Sequence, residues 1–334
     1  MSTTPPPGAR FQNSVNARSP NAASRSTCPT SPVAAGRRTS RWGSSADDSS
    51  ARRRHGDPAV NTVLIAELGE NHYGRWDVCR GMVEEVAANG ATVAKFQTYT
   101  ANQFGPDHEW YDWFRGVEMP ETVHFEMQQL CEELGITFLS STFTRRSTDF
   151  LVDRMGLSAL KLASSRIVDL ELLAHVNDRA EQVQTVYLST GGSTIDEIQG
   201  AVECLGAIEN LSLLHCVSQY PTEDTNVNLL AIRAMQAAFP DIPIGYSDHS
   251  RGIAACLAAV ALGATVLEKH FTYHTRMPGD DHQGALTPES LAELVRQVTR
   301  LETMLGREEK VPAPDEQKAL SQLRGKMLEV DFDN

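Results

Sequence analysis

The repeating unit that decides the fold first appears at residues 62–97, as TVLIAELGENHYGRWDVCRGMVEEVAANGATVAKFQ. A short β-branched and apolar run, Thr62–Glu67, precedes the segment Trp76–Ala88, where apolar residues recur three and four positions apart. A second apolar run follows at Thr92–Gln97. The outer segments have the composition of strands, and the middle segment has the periodicity of an amphipathic helix. The stretch therefore predicts a strand–helix–strand unit.

The same unit recurs along the chain. Six further runs have strand character: Ile136–Ser141, Ala159–Ala163, Thr185–Thr190, Leu211–Val217, Ile242–Asp248 and Ala264–His270. Helical patterns lie between runs at Glu121–Leu134, Thr194–Leu205 and Leu229–Ala238. Eight such units in about 250 residues predict a (β/α)8 TIM barrel. A doubly wound sheet is the alternative, but the even spacing of the runs favours a closed barrel.

Composition and charge exclude several classes of protein. The chain has 334 residues, of which 41% are hydrophobic and 22% charged, a balance typical of globular proteins. Its longest apolar run, Ile253–Ala264, is too short to span a bilayer. A net charge of −13 repels a phosphate backbone, so we expect neither nucleic acid nor a membrane as partner. Six widely spaced Cys residues favour buried, reduced thiols in a cytoplasmic protein.

Three regions differ in composition. Residues 1–57 contain nine Arg, eleven Ser and six Pro with almost no apolar periodicity, which predicts a disordered tail. An organellar transit peptide and a mis-assigned start are the other interpretations of this segment. We predict the barrel over residues 58–306 and a charged C-terminal stub over residues 307–334.

Polar and ionisable residues gather at the carboxyl end of each run, where TIM barrels form their active sites. The residues at the run ends are Glu67, Lys95, Gln97, Ser140, Ser141, Thr142, Lys161, Ser164, Ser189, Thr190, His215, Ser218, Ser247, Asp248, His249, Glu268 and His270. The starts of the same runs are mostly apolar. This asymmetry predicts one active site at the mouth of the barrel.

Two histidines end neighbouring strands. His249 closes the seventh run and His270 the eighth, so a barrel brings both within reach of one divalent metal such as Mn²⁺, Fe²⁺ or Zn²⁺. We therefore predict His249 and His270 as metal ligands. Asp248 and Glu268 are candidates for further ligands or for groups that orient the imidazoles. His215 ends the sixth run and is a candidate for a structural role.

Two lysines among hydroxyl groups indicate an anion site. Lys95 and Lys161 emerge from the second and fourth runs. The hydroxyl residues on the same face are Ser141, Ser164, Ser189, Thr190 and Ser247. Together these groups suit a phosphate and a carboxylate, although a Lys of depressed pKa in a barrel also forms Schiff bases. Glu67, at the end of the first run, is the candidate general acid or base.

The connection between the second and third runs, Tyr99–Pro120, is long and rich in aromatic residues. Long loops on this face of a barrel serve as lids or contact substrate. The alternative is a local core packed on the rim of the barrel.

Several ordered stretches carry a family resemblance. They are Ile65–Gly69 with Asn71–Gly74, Ala94–Thr98, Lys161–Ser164, Leu188–Gly191, Leu214–Cys216 with Tyr220–Thr222, Gly245–His249, Glu268–Phe271 and Met277–His282. In this order, over about residues 62–306, they resemble the catalytic barrel of the sialic acid synthase family, which includes N-acetylneuraminate, legionaminate and pseudaminate synthases.

The resemblance implies a metal-assisted condensation of phosphoenolpyruvate with an aldose, such as N-acetylmannosamine or a modified sugar. The reaction releases phosphate and gives a 2-keto-3-deoxy sugar acid. The resemblance also implies a homodimer, Mn²⁺ held by His249 and His270, and Glu67 as general acid or base. The positions that match phosphoenolpyruvate contacts are Lys95, Ser141, Lys161, Ser164, Ser189, Ser218 and Ser247. The positions that match sugar contacts are Gln97, Tyr220 and Asp281.

The chain departs from the family pattern in three places. The usual Ser-Gly-Glu after the fourth-strand Lys is Ser-Ser-Arg here, at Ser164–Arg166, which reverses the charge of a sugar contact. The usual Ser-Thr-Pro-Phe is Ser-Ser-Thr-Phe at Ser140–Phe143. The residues after Gly306 are too few for the family's antifreeze-like domain, which supplies an Arg to the active site. We therefore expect an altered acceptor, with Arg166 binding an anionic or differently substituted sugar or replacing that Arg.

Two other functions remain open. The chain is a Schiff-base aldolase if Lys95 or Lys161 reacts with a keto acid. It is a partner or binding subunit if the barrel has lost catalysis, but the retained Glu67, Lys95, His249 and His270 argue against that interpretation.

Overall fold

The computed structural model describes residues 62–324, and the predicted tail at residues 1–57 lies outside this range. Eight parallel strands form a closed barrel in sequence order, which confirms the predicted (β/α)8 fold. The strands are β1 (Val63–Glu67), β2 (Val93–Thr98), β3 (Thr137–Thr142), β4 (Ala159–Leu162), β5 (Thr185–Ser189), β6 (Asn210–Cys216), β7 (Ile244–Asp248) and β8 (Val266–His270). Each strand begins and ends within two residues of the run that predicted it.

Helices follow the strands around the barrel. They are α1 (Trp76–Ala88), α2 (Tyr111–Val117), α3 (Glu121–Glu133), α4 (Arg145–Asp149), α5 (Leu170–Asn177), α6 (Ile195–Cys204), α7 (Ala231–Ala238), α8 (Ala254–Ala261), α9 (Pro288–Leu305) and α10 (Pro314–Arg324). A capping box starts α6, because Thr194 Oγ1 accepts from the Glu197 N–H while Glu197 accepts from the Thr194 N–H. Helix α10 lies in the segment predicted as a charged stub and is largely exposed.

Side chains of the strands alternate between two cores. The inner core fills the lower part of the barrel with Ile65, Val93, Leu139, Leu214 and Val266. The outer core packs the other strand face against the helices and includes Leu64, Ala66, Phe96, Leu160 and Leu267. Because the period of a strand is two, the residue two positions after each inner apolar residue also faces inward. Most strands end inward with a polar or ionisable residue, including Glu67, Lys95, Ser141, Lys161, Ser189, Ser247 and His270, so these groups gather at the mouth of the barrel.

Strand register places the polar residues at one height. Glu67 of β1 lies opposite Lys95 of β2 on one side and His270 of β8 on the other. Ser247 of β7 lies opposite Glu268 of β8. The pairing of β1 with β8 closes the ring and brings the first and last groups of the site together.

The connection after β2 forms a local core. Its buried members are Tyr99, Ala101 and Phe114, packed against Trp110, Tyr111, Trp113 and Phe143. Phe104 stacks on Phe114 with ring centroids 4.0 Å apart. The structure therefore bears out the local-core interpretation of this segment.

Two further expectations concern thiols and membranes. The cysteines within the described range are free and buried: Cys79, Cys131, Cys204, Cys216 and Cys256. Across residues 62–324, no helix has both the length and the apolar character needed to cross a bilayer.

Candidate active site

Two buried ammonium groups share one carboxylate at the mouth of the barrel. Glu268 Oε2 lies 3.6 Å from Lys95 Nζ, and its Oε1 lies 3.7 Å from Lys161 Nζ. Glu268 Oε1 also accepts from Ser247 Oγ at 3.0 Å, and Lys95 forms a second ion pair with Glu67. Burial lowers the pKa of Lys161. Burial acts in the same direction on Lys95, but Glu268 and Glu67 hold its pKa above the ordinary value.

Hydroxyl groups complete the surroundings of both lysines. Lys95 Nζ donates to Ser141 Oγ at 3.2 Å, and Lys161 Nζ donates to Ser189 Oγ at 2.7 Å. Both serines are among the hydroxyl residues that the sequence predicted for an anion site. Charged donors beside short hydroxyl side chains form strong hydrogen bonds to phosphate and carboxylate oxygens.

Gly191, which follows β5, leaves room for two more serines, Ser164 and Ser218. Ser164 Oγ accepts from the Gly191 N–H at 3.0 Å. A Cβ on this glycine would lie 2.5 Å from Ser218 Oγ and 2.8 Å from Ser164 Oγ, so a larger residue would displace these hydroxyl groups. Thr190 was also predicted on this face, but that prediction is wrong, because its hydroxyl donates to Leu214 O between the strands.

The two predicted metal ligands face each other. The rings of His249 and His270 have centroids 5.4 Å apart, and both are buried. His249 Nδ1 lies 2.9 Å from Val217 O, which only accepts, so Nε2 is the nitrogen left with a lone pair. His270 Nδ1 is buried and has no hydrogen-bond partner within residues 62–324. Burial lowers the pKa of His270 to about 3, which keeps the imidazole in its neutral, ligating form.

Asp248 lies on the outer side of the barrel wall, which corrects its interpretation as a ligand. Lys269 Nζ donates to Asp248 Oδ2 at 2.6 Å, and Tyr246 Oη donates to Asp248 Oδ1 at 2.9 Å. Strand alternation explains the correction, because His249 and His270 face the opposite side from their neighbours. The Asp248–Lys269 ion pair therefore ties the ends of β7 and β8 behind the histidines. Within the described range, no group of three or more His, Cys, Asp or Glu side chains is placed to hold a metal.

Two groups that the resemblance assigns to sugar binding, Gln97 and Asp281, meet Glu67 beside Gly69. Gln97 Nε2 donates to Glu67 Oε1 at 3.0 Å. A Cβ on Gly69 would lie 3.1 Å from Glu67 Oε1, 3.3 Å from Gln97 Nε2 and 3.4 Å from Asp281 Oδ2. Asp281 Oδ2 is also 3.5 Å from His270 Nδ1. This carboxyl therefore connects the histidine pair with the Glu67–Gln97 pair, and burial raises its pKa.

Tyr220, Arg166 and His215 lie in different parts of the structure. Tyr220 lies in the site, with its ring centroid 4.1 Å from that of His249. Arg166 lies in the turn after the carboxyl end of β4, and its Nη1 donates to Asp169 Oδ2 at 3.4 Å. The Nε of Arg166 is buried and has no hydrogen-bond partner in the described part of the chain. His215 is structural, because its ring faces outward, contacts Val227 O at 2.9 Å and stacks on Tyr246.

Sequence patterns did not single out Glu70. Its Oε2 accepts from Trp113 Nε1 at 2.5 Å, and its Oε1 accepts from Tyr99 Oη at 2.8 Å. Burial raises its pKa from 4.5 to about 7, with a further contribution from Asp281. Glu70 lies in the loop after β1, outside every run end, so no strand pattern marks it. It links that loop to the aromatic segment after β2.

We expect Glu70→Gln to stabilise the protein at alkaline pH and to leave it unchanged in acid. A carboxyl whose pKa is higher in the folded state lowers stability once pH exceeds its unfolded value of 4.5, and the penalty is complete above about 7. The amide removes the charge but still accepts from Trp113 and donates to Tyr99. The free energy of unfolding in urea should rise by about 1 kcal/mol at alkaline pH.

The pH dependence provides the check on this prediction. The gain should shrink as pH falls and vanish near the unfolded pKa of 4.5. Glu132→Gln, at an exposed position of α3, is the matched control and should show no such trend. An equal gain at every pH would contradict the assignment of the effect to ionisation of Glu70.

Known proteins resemble this chain over most of its length. Residues 82–310 match the model of the NeuB family. An uncharacterised protein of Methanocaldococcus jannaschii is 40% identical over 266 residues, which cover 79% of this chain and 77% of the relative. The N,N'-diacetyllegionaminic acid synthase of Legionella pneumophila is 33% identical over 279 residues, which cover 77% of each chain.

A solved structure agrees with these relatives. The crystal structure of N-acetylneuraminic acid (sialic acid) synthetase from Leptospira borgpetersenii, in complex with citrate, superimposes with a TM-score of 0.73 and 32% identity. The match covers 80% of this chain and 92% of that one. The related enzymes are synthases of the sialic acid type, as the resemblance in the sequence implied. The chain belongs to the NeuB family.

Proposed function

We propose that this protein condenses phosphoenolpyruvate with an aldose acceptor to give a 2-keto-3-deoxy sugar acid and phosphate. The observation that carries the proposal is the placement of Lys95 and Lys161, among buried serines, at the same mouth of one barrel as His249 and His270. One half of the site suits a doubly anionic donor, and the other half suits a carbonyl compound.

The lysine half would bind phosphoenolpyruvate. Lys95 and Lys161 offer ammonium donors, and Ser164 and Ser218 offer hydroxyl groups beside the Gly191 backbone. Fixed donors of this kind stabilise negative charge that develops on the departing phosphate and on the carboxylate. They also hold the enol carbon in one orientation toward the acceptor.

The histidine half fits a divalent metal. The unpartnered His270 Nδ1 and the His249 Nε2 are imidazole nitrogens of the type that Mn²⁺, Fe²⁺ and Zn²⁺ accept. When bound, Mn²⁺ supplies Lewis-acid polarisation of the acceptor aldehyde. Asp281 lies beside His270 and Gln97 beside Glu67, where both would orient the hydroxyl groups of the sugar.

Glu67 would move the protons of the reaction. Carbon 3 of phosphoenolpyruvate forms a bond to the aldehyde carbon, water adds to carbon 2, and the bond between carbon 2 and the phosphate oxygen breaks. Glu67 would accept a proton from the attacking water and return it to the oxygen of the former aldehyde, and the second proton of the water would leave with the phosphate. Gln97 holds Glu67 Oε1 and Lys95 contacts its Oε2 during these transfers. The balance is phosphoenolpyruvate, aldose and water in, and sugar acid and inorganic phosphate out.

The direct test is phosphate release from phosphoenolpyruvate in the presence of Mn²⁺ across a panel of aldoses. The panel includes N-acetylmannosamine, 6-deoxy diamino sugars, phosphorylated sugars and simple sugars. Release that requires one acceptor, with a keto acid formed in equal amount, supports the proposal. No release with any acceptor from folded, metal-loaded protein would favour a binding subunit instead.

One observation favours the Schiff-base alternative. The pKa of Lys161 is lowered by burial, and a depressed lysine pKa is what an aldolase nucleophile requires. Treatment with pyruvate and borohydride would then attach the keto acid covalently to Lys161. Phosphate release without such trapping separates the synthase from the aldolase.

The acceptor is proposed to carry a negative charge near Arg166. The guanidinium pairs only loosely with Asp169 at 3.4 Å, and its buried Nε is open. Arg166→Glu is expected to lower kcat/KM for an anionic aldose about tenfold or more and to raise it for a neutral one. Steady-state kinetics across the panel measure both changes. Equal ratios of kcat/KM in the two proteins would remove Arg166 from acceptor recognition.

We also propose a cytoplasmic homodimer. The described cysteines are free and buried, which suits a reducing compartment. Light scattering on the purified protein measures the oligomeric state, and a monomer at all concentrations would contradict the dimer.

A further inference from the structure

We propose that Tyr73 is a positioning residue for Asp281, acting through a directed chain of hydrogen bonds that passes through His282. The inference rests on the proposed function, because Asp281 is the carboxyl expected to orient the acceptor sugar. Among residues 62–324, Tyr73 forms no hydrogen bond with Lys95, Lys161, His249 or His270.

The direction of each hydrogen bond in this chain can be assigned, because the carbonyl oxygen at one end can only accept. Tyr73 Oη lies 2.5 Å from Pro278 O, and since a carbonyl only accepts, the phenol proton is committed there. The 2.8 Å contact between Tyr73 Oη and His282 Nε2 must then be donated by the imidazole. His282 Nδ1 is therefore unprotonated and accepts from Thr272 Oγ1 at 2.7 Å. Thr272 Oγ1 accepts in turn from the His274 N–H at 3.2 Å, which completes a consistent chain.

The protonation states agree with this chain. Burial lowers the pKa of His282 to about 4, so the ring is neutral and has one donor and one acceptor nitrogen. Burial raises the pKa of Tyr73 to about 12, so the phenol keeps the proton that it donates. Both partners hold these states throughout the physiological range of pH.

The chain fixes the backbone on both sides of Asp281. Pro278 precedes Asp281 by three positions, and His282 follows it directly. Tyr73 is therefore bonded to both ends of the short segment whose carboxyl reaches within 3.5 Å of His270 Nδ1. Loss of the phenol oxygen would release both ends at once.

Tyr73 is itself held in an unusual backbone conformation. Its φ is +56°, a left-handed value that costs a residue with a side chain on the order of 1 kcal/mol. The following Gly74 leaves no room for a side chain, since a Cβ there would meet Gly116 O at 2.0 Å. The Tyr73 ring also packs edge-on against Trp113 with centroids 5.8 Å apart. The surroundings therefore hold this side chain toward the loop that contains Asp281.

The test is Tyr73→Phe, which keeps the ring and its packing but removes the hydroxyl. We expect KM for the acceptor to rise about tenfold, as for the loss of one or two hydrogen bonds, while KM for phosphoenolpyruvate stays within about twofold. A double-mutant cycle with Asp281→Asn adds a second measure. Tyr73→Phe should have little further effect once the carboxyl is absent, because its role is to place that carboxyl.

Hydrogen exchange gives a readout that needs no activity. The amides of residues 272–285 should exchange faster in Tyr73→Phe than in the parent protein, with unchanged exchange in β1 and β2. Tyr111→Phe is the matched control, because it also loses one hydroxyl hydrogen bond, to Asn102 Oδ1 at 2.7 Å, but in the neighbouring segment. It should change neither exchange of residues 272–285 nor acceptor KM.

Two results would overturn the inference. One is unchanged exchange of residues 272–285 in Tyr73→Phe, and the other is additive effects of Tyr73→Phe and Asp281→Asn on acceptor KM. Failure of the proposed function is a separate outcome, since it would appear as inactivity of the parent protein toward every acceptor. The exchange measurement tests the hydrogen-bond chain in that case as well.

Discussion

Lys161→Met is expected to weaken binding of phosphoenolpyruvate about 100-fold and to lower kcat further. The variant loses an ammonium group that is buried and donates to Ser189 Oγ at 2.7 Å. It also leaves Glu268 facing the bound anion with only Lys95 beside it. The carboxylate of Glu268 would then repel the phosphate and carboxylate that the site binds. Calorimetric titration with phosphoenolpyruvate alone measures the loss without any acceptor.

A second substitution distinguishes repulsion of phosphoenolpyruvate by Glu268 from a general loss of structure. In Lys161→Met/Glu268→Gln the carboxylate charge is gone, while the amide oxygen still accepts from Ser247 Oγ. We expect the double variant to bind phosphoenolpyruvate about tenfold more tightly than Lys161→Met alone. Thermal unfolding shows whether both variants are folded. Equal or weaker binding by the folded double variant would contradict the role given to Glu268.

His249→Ala is expected to abolish tight binding of Mn²⁺ and to lower phosphate release about 1000-fold. The variant removes one of two imidazoles whose ring centroids lie 5.4 Å apart, and no third side chain in the described range completes a metal site in their place. The Mn²⁺ signal in electron paramagnetic resonance measures binding directly, without substrate.

A neighbouring histidine provides the control. His215→Gln alters a buried histidine of β6 that contacts Val227 O and faces away from the mouth of the barrel. It should lower stability but leave the affinity for Mn²⁺ unchanged. Equal affinity of His249→Ala and the parent protein for Mn²⁺ would refute the metal assignment, whatever the activity.

The fold and much of the site could be predicted from sequence because one rule governs both. A strand that is apolar along its length and polar at its carboxyl end indicates a barrel strand and, at the same time, a side chain at the mouth. Lys95, Lys161 and Glu268 are brought together by this rule, although nothing in the sequence indicated that Glu268 lies between the two lysines.

The errors have a single physical cause. The polar residues at the end of a run are not equivalent, because alternate residues of a strand face opposite sides of the barrel wall. Asp248 and Thr190 therefore point outward, and counting in twos from Ser247 and Ser189 would have shown it. Side chains supplied by loops follow no such period. For that reason Glu70 and the chain from Tyr73 to His282 became visible only in the structure.

The position of Glu268 on β8 has a consequence for how the molecule assembles. A chain still emerging from the ribosome with only β1 to β7 formed would contain both Lys95 and Lys161 but not the carboxylate that bridges them. Among the described residues, Lys161 would then lack an ionic partner, and Lys95 would keep only its ion pair with Glu67 of β1. Strand β8 supplies both Glu268, whose carboxylate bridges the two lysines, and His270. Closure of the ring and completion of the site therefore depend on the same strand, and a fragment ending before β8 is expected to lack both.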